Sequence, residues 1–174
     1  MRRSVFNKHI EQLSEEELKD EIQVLYDKIP EVKSFYALEL GDDKERSKIY
    51  DKAKQSIHAK YKTKSFRKPR RPRIQKINRL LTELEKNATY NWDMIDVYLY
   101  NVEQGLNFMK VYSFYSEPLR NTIINSLEKA LLLIEDALFH SQYKERIESL
   151  ISTKIFDWGV HRTVVEMIRK VYPN

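Results

Sequence analysis

Cysteine is absent from the chain. That excludes disulfides, thiolate nucleophiles and thiolate metal sites, and it suits a reducing compartment. Glycine occurs only as Gly41, Gly105 and Gly159, so no glycine-rich phosphate-binding loop can be drawn. Long apolar runs are missing too. The longest, Ala130 to Ile134, falls far short of the roughly 20 residues needed to span a bilayer. Behind Met1-Arg2-Arg3-Ser4-Val5-Phe6 the residues Asn7, Lys8, His9, Glu11 and Gln12 break any apolar stretch. No signal peptide is therefore expected, and the expected location is cytoplasmic. Strand-type alternation and Asn-Gly or Asp-Gly hairpin signals are also lacking.

Charge and helical periodicity are what the chain does have. Its 174 residues fit one domain with a core of its own. The net charge is +5, yet Lys60 to Lys76 carries nine cations and no acid, which leaves −4 on the remainder. The protein reads as a mildly acidic body with one basic segment.

Apolar residues recur at three and four, predicting helices throughout. Ser4 is placed to cap a short helix burying Val5, Phe6, Ile10 and Leu13. Ser14-Glu15-Glu16-Glu17 is a capping box opening a helix with Leu18, Ile22, Leu25, Tyr26 and Ile29 on one face. Pro30 ends that helix and begins the next, and Gly41 is expected to stop it in a left-handed conformation. A polar helix follows from Asp42 or Asp43 to about Tyr61, with Ile49, Tyr50, Ala53, Ile57 and Tyr61 inward. Residues 62–71 form a basic linker in which Pro69 and Pro72 impose extended geometry on their neighbours. Pro72 is expected to start a helix with Ile74, Ile77, Leu81 and Leu84 on its seam. Asn91 would cap a long helix to about Tyr112, with interior Gly105 marking a close helix approach. Ser116 would cap the most apolar helix, to Phe139, expected at the centre. Ser141 would cap a shorter helix and Asp157 the last. The expected fold class is all-α: eight or nine helices in antiparallel hairpins within a single domain, 1–174, in an arrangement open to a short solenoid-like array.

Several blocks carry a family resemblance: Leu13-Ser14-Glu15-Glu16-Glu17-Leu18, then Leu25-Tyr26 and Pro30-Glu31-Val32-Lys33, later Tyr100-Asn101-Val102-Glu103-Gln104-Gly105 and Asp157-Trp158-Gly159-Val160-His161. In this order and spacing the chain resembles a bacterial family of small helical proteins known as domain of unknown function 6155. The resemblance implies an all-helical fold and a bacterial source, and it carries no assigned activity. It draws attention to Glu103, Gly105, Asp157, Trp158, Gly159 and His161.

Three constellations have the residue types for function. Lys64, Arg67, Lys68, Arg70, Arg71, Arg73 and Lys76 are the candidates for nucleic-acid binding, since lysine and arginine neutralise phosphates. Tyr61 and Phe66 are the aromatics available to stack on bases. The plain alternative is a solvated linker followed by a cationic helix start, although Arg73 and Lys76 sit unfavourably at a helix N-terminus. Trp92, Tyr98, Tyr100, Tyr112 and Tyr115 are candidate interface residues. Tyr98 fits the buried stripe, whereas Tyr100 is rotated about 200° from it. Asp157 and His161 share a helix face, but a metal needs three or four ligands, and His9, His58 and His140 lie on other helices, so a structural role is expected. Glu103 is expected to pair with an arginine. No metal or cofactor is called for. The residues favour a non-enzymatic helical interaction module, binding a protein partner or itself and no membrane. The alternative is nucleic-acid binding through Lys60–Lys76, RNA ahead of DNA. An enzyme ranks third, because no nucleophile–base pair or cofactor motif is supplied.

Overall fold

The computed structural model describes residues 2–88, 90, 92–153 and 159–173. Among these the fold is all-α, with nine helices and no strand. The chain divides into two compact units, Met1–Arg46 and Ser47–Asn174.

The first unit contains α1 (Arg3–Glu11), α2 (Glu15–Lys28) and α3 (Pro30–Glu39). The capping box forms: the Ser14 hydroxyl accepts from the Glu17 amide at 3.3 Å, and Glu17 Oε2 accepts from the Ser14 amide at 2.7 Å. Ser4 caps nothing, because α1 already begins at Arg3. Pro30 opens α3, where a missing amide costs nothing. Tyr36 links α3 to α2 through Tyr26, with ring centroids 6.2 Å apart. Gly41 does not take the left-handed conformation expected of it. Its lack of a side chain serves a close approach, since a Cβ there would lie 2.1 Å from the Ala37 carbonyl oxygen. The expected burial of Val5 and Phe6 is not found: both are exposed, as are Ile22, Leu25 and Tyr26. Among the described residues of this unit only Leu38 is buried.

The second unit holds most of α4 (Asp43–Tyr61) and all of α5 (Ile74–Asn87), α6 (Asp93–Tyr112), α7 (Glu117–Asp136), α8 (His140–Ser152) and α9 (Val160–Val171). α6 and α7 form the most extensive pairing; α5 packs on both, and α7 also meets α8 and α9. These pairings join helices one or two apart along the chain, the local pattern of stacked hairpins.

The narrow stripe of α4 is buried at Tyr50, Ala53, Ile57 and Tyr61, and the seam of α5 at Ile74, Ile77, Leu81 and Leu84. α5 begins two residues later than expected, because Arg73 keeps a non-helical backbone. α7 ends at Asp136, short of Phe139, where Leu138 takes φ +57°. Ser141 is not the cap of α8, which starts at His140 behind Phe139. The expected caps Asn91 and Asp157 lie outside the described residues.

Although α7 carries the wide apolar stripe, α6 is the more enclosed helix. Met94, Ile95, Val97, Tyr98, Leu99, Asn101, Val102, Leu106, Phe108 and Met109 cover most of its circumference, and all are buried. Asn101 is tolerated there because both ends of its amide are satisfied. Tyr61 donates its hydroxyl to Oδ1 at 3.0 Å, and Nδ2 donates to Ser126 Oγ at 2.9 Å.

Gly105 permits the α6–α7 approach. A Cβ on it would meet Ile123 Cγ1 at 2.5 Å and Cδ1 at 2.8 Å. Gly105→Ala should therefore destabilise the protein by about 1–2 kcal/mol, overpacking outweighing the helix-propensity gain of about 1 kcal/mol. Urea unfolding will test this. In an Ile123→Ala background the same change should cost less, and a neutral or stabilising Gly105→Ala in the wild-type background would contradict the close approach.

Candidate nucleic-acid interface

The basic segment is anchored by the core at both ends. Tyr61, the last residue of α4, is buried with its hydroxyl on Asn101, and Ile74, the first of α5, is buried as well. The Arg73 amide donates to the Lys60 carbonyl at 3.3 Å, drawing the two ends together. Between them Thr63 organises the loop, its Oγ1 accepting from the amides of Arg70 at 3.0 Å and Ser65 at 3.4 Å. Pro69 and Pro72 offer no amide to pair. The backbone is thus spent on the loop itself, and Lys64, Arg67, Lys68, Arg70, Arg71, Arg73 and Lys76 are all exposed.

Four of these cations line one groove. Arg70, Arg71, Arg73 and Lys76, with Pro72, Ile74 and Gln75, face Ser116 and Pro118 at the start of α7 across a volume of about 620 Å³. Ser116 caps α7, accepting from the Leu119 amide at 3.4 Å, so the groove is also bordered by a helix N-terminus. Glu117 lies in that first turn, but it accepts from the Tyr115 hydroxyl at 2.8 Å and sits 3.7 Å from Arg120.

Among the described residues, none of the seven cations lies within ion-pair distance of a carboxylate. Elsewhere on the body, Glu83 pairs with Arg79 at 2.7 Å, and Glu85 with Lys129 at 2.6 Å. Asp96 takes Lys54 at 2.8 Å and also Arg146. The two aromatics of the segment separate. Tyr61 is buried and unavailable for stacking, whereas Phe66 is exposed with its ring 5.6 Å from that of Tyr112.

The aromatic candidates do not form one surface. Trp92 precedes α6 and stacks on Tyr90 at 4.6 Å, while Tyr112 ends the same helix. Trp92 borders a second groove, about 420 Å³, with Tyr50, Asp51, Lys54, Asp96 and Tyr143. Tyr98 is in the core, with Lys129 Nζ 5.5 Å above its ring. Tyr100 is half-buried, and burial followed by the charge of Glu103 raises its hydroxyl pKa. Tyr115 is half-buried, with its hydroxyl on Glu117.

The model of a protein family of unknown function, DUF6155, matches residues 1–171. The chain belongs to this family. No curated protein and no solved structure matches it. In this DUF6155 protein, Gly105 is the α6–α7 contact, and Gly159, at φ +80°, leads into α9. His161 Nε2 lies 2.8 Å from the Ile151 carbonyl oxygen. Asp157 and Trp158 lie outside the described residues. Among the described residues no group of three or more metal-ligating side chains comes together, and no helix is long and apolar enough to cross a membrane.

Glu103 belongs to a network centred on Arg146 of α8. Arg146 Nε donates to Glu103 Oε1 at 2.6 Å, Nη2 to the Asp96 carbonyl at 3.3 Å, and Nη1 to the Asp96 carboxylate. Lys54 of α4 completes the site on Asp96. Burial raises the Asp96 pKa, but the hydrogen bond from Lys54 and the charges of Arg146 and Lys54 outweigh it, so the carboxyl is held below its ordinary range. Asp96 and Glu103, two turns apart, share a helix face, a signal visible in the sequence. Their partner on α8 was not.

A depressed folded-state pKa stabilises the protein above the ordinary Asp value and loses that contribution as pH falls through the folded value. Asp96→Asn should therefore be less stable than wild type near pH 7, with the difference shrinking toward pH 2–3. Arg146→Met should cost about 2 kcal/mol near pH 7, below the 3–5 kcal/mol of a fully buried pair because these carboxylates keep partial solvent access. Urea unfolding at the two pH values checks both, and a pH-independent difference for Asp96→Asn would contradict the assignment.

Proposed function

We propose that this protein is a nucleic-acid-binding protein that receives a phosphate backbone, that of RNA ahead of DNA, in the groove of Arg70, Arg71, Arg73 and Lys76. The observation that carries this reading is the clustering of four exposed cations along one groove, none of them within ion-pair distance of a carboxylate among the described residues. Phosphate contacts by lysine and arginine release condensed counterions and supply sequence-independent affinity. The N-terminal turn of α7 adds a favourable dipole at the opposite wall.

Substituting all four cations by glutamine gives the test. Each phosphate neutralised on a single strand contributes about −0.7 to the log–log salt slope, so four give roughly −3. The quadruple variant should lose most of that slope and keep its helical circular dichroism, since each of the four is exposed. Absence of binding by the wild-type protein at micromolar concentration in ~100 mM salt, where the Debye length is about 10 Å, would remove the reading.

A second reading, protein binding or self-association, is favoured by a separate observation in the first unit. Val5, Phe6, Ile22, Val24, Leu25, Ile29 and Phe35 are each at least 36% exposed, although helices of this length are marginal in water without tertiary cover. A protein partner or a second copy would supply that cover. Sedimentation equilibrium distinguishes the self-associating form: wild type should assemble with concentration and Phe6→Ser/Leu25→Ser should not. A wild type that stays monomeric into the tens of micromolar, an order-of-magnitude ceiling for weak association, would exclude it.

A further inference from the structure

We propose that the ligand of the cationic groove is single-stranded and that Phe66 is the platform on which one of its bases stacks; this rests on the nucleic-acid reading of the groove. Phe66 is 72% exposed, more than any other aromatic residue described. An exposed phenylalanine on a floppy loop would be unremarkable, but this one is supported from beneath. Its ring lies 5.6 Å from that of Tyr112, which lies 4.7 Å from Phe108. Phe108 is buried and 6.1 Å from Tyr61. A column of rings therefore climbs from the hydroxyl network at Asn101 to the surface and ends in a free aromatic face. The loop is fastened behind Phe66 by the Lys68 amide on Ser65 Oγ at 3.3 Å and the Arg70 amide on Thr63 Oγ1 at 3.0 Å.

The surroundings of that face match a strand rather than a peptide or a duplex. Lys64, Arg67 and Lys68 flank it, exposed and without a carboxylate partner among the described residues. Cations beside an aromatic platform are the paired elements of single-strand binding, in which the charges follow the backbone and the ring takes a base. Chain direction carries these cations on to Arg70 and into the groove, whose far wall, Ser116 and Pro118, follows shortly after Tyr112 in the sequence. A duplex keeps its base faces stacked internally and has none to offer Phe66. An acidic peptide would satisfy the cations but leave the ring without a planar partner.

Fluorescence anisotropy of the full chain tests this with three labelled probes: an unpaired RNA of about 12 nucleotides, an RNA duplex of the same length, and heparin. The wild type should prefer the single strand. Phe66→Ala should weaken single-strand binding about tenfold, leave its salt slope and heparin binding unchanged because no charge is lost, and leave thermal unfolding unchanged. Phe66→Trp should retain affinity. A Phe66→Ala variant within about twofold of wild type on the single strand, a duplex bound as tightly as the single strand, or heparin bound with neither RNA would each overturn the proposal. Wild-type binding to both RNAs alike would overturn only the platform and leave the groove reading standing, whereas binding to none of the probes would overturn both.

Discussion

The contact between Gly105 and Ile123 fixes the second unit. A methyl group cannot be inserted there without displacing a β-branched side chain held by its own helix. That proximity sets the depth to which α7 sits on α6, and with it the alignment of Ser126 on Asn101 one turn earlier. Asn101 can be buried only because Ser126 and Tyr61 reach it from opposite sides; either bond lost would leave an amide group unsatisfied in the core. The same arrangement sets α4, since Tyr61 is its last residue and its hydroxyl lies 3.4 Å from where a Gly105 Cβ would stand.

The groove inherits its position from these constraints. Placing the end of α4 on Asn101 leaves the chain to emerge beside the last turns of α6, where Phe108 and Tyr112 stack outward. Ser113, in the left-handed conformation, ends α6, and Ser116 restarts the helical path as the cap of α7. The loop after Tyr61 therefore meets the α6–α7 turn, and its cations face Ser116 and Pro118. Ile74 and Ile77 then return the chain to the core.

Periodicity revealed which faces are apolar, and in the second unit those faces are the buried ones: Ile74, Ile77, Leu81 and Leu84 follow the expected seam. It could not reveal whether anything covers a face. Val5, Phe6, Ile22 and Leu25 have the right spacing and remain exposed. Hydropathy placed α7 at the centre, and α7 does pack against α5, α6, α8 and α9, but it did not reveal how enclosed α6 is. Asp96, Asn101 and Glu103 dilute the apolar signal of α6, yet each finds a partner on another helix, so α6 is enclosed despite them. Gly105 was legible because an interior glycine costs helix stability and calls for a compensating contact. Gly41 was misread because a glycine near a helix end has two physical uses, a left-handed angle or a close approach, and composition does not separate them. Of the candidate site, the run of cations was plain in the sequence. Their clustering around one groove, and the diversion of Tyr61 into the core, depended on tertiary placement.

The charge economy of the second unit bears on why the groove is cationic. Lys54, Arg79, Lys129 and Arg146 are all matched to carboxylates, as expected of charges retained for folding. The cations from Lys64 to Lys76 have no such partner among the described residues, and neither do Lys52, Lys86, Lys110, Arg169 and Lys170; what sets the basic segment apart is that four of its cations line one groove. Arg73 and Lys76 lie at the beginning of α5, whose first turn contains no acid to offset them, and a cation there opposes the helix dipole by about 0.3–1 kcal/mol at an exposed position. Their mutual repulsion acts in the same direction. These two terms favour neutral residues at these positions in the free protein, and an anion in the groove would reverse the sign of each. A solvated linker that served only to connect α4 to α5 has no such requirement: two prolines and Thr63 already shape it, and serine or glutamine would keep it in water without the repulsion. Through these terms the cations act against folding, and in the function proposed above a bound polyanion would offset that opposition.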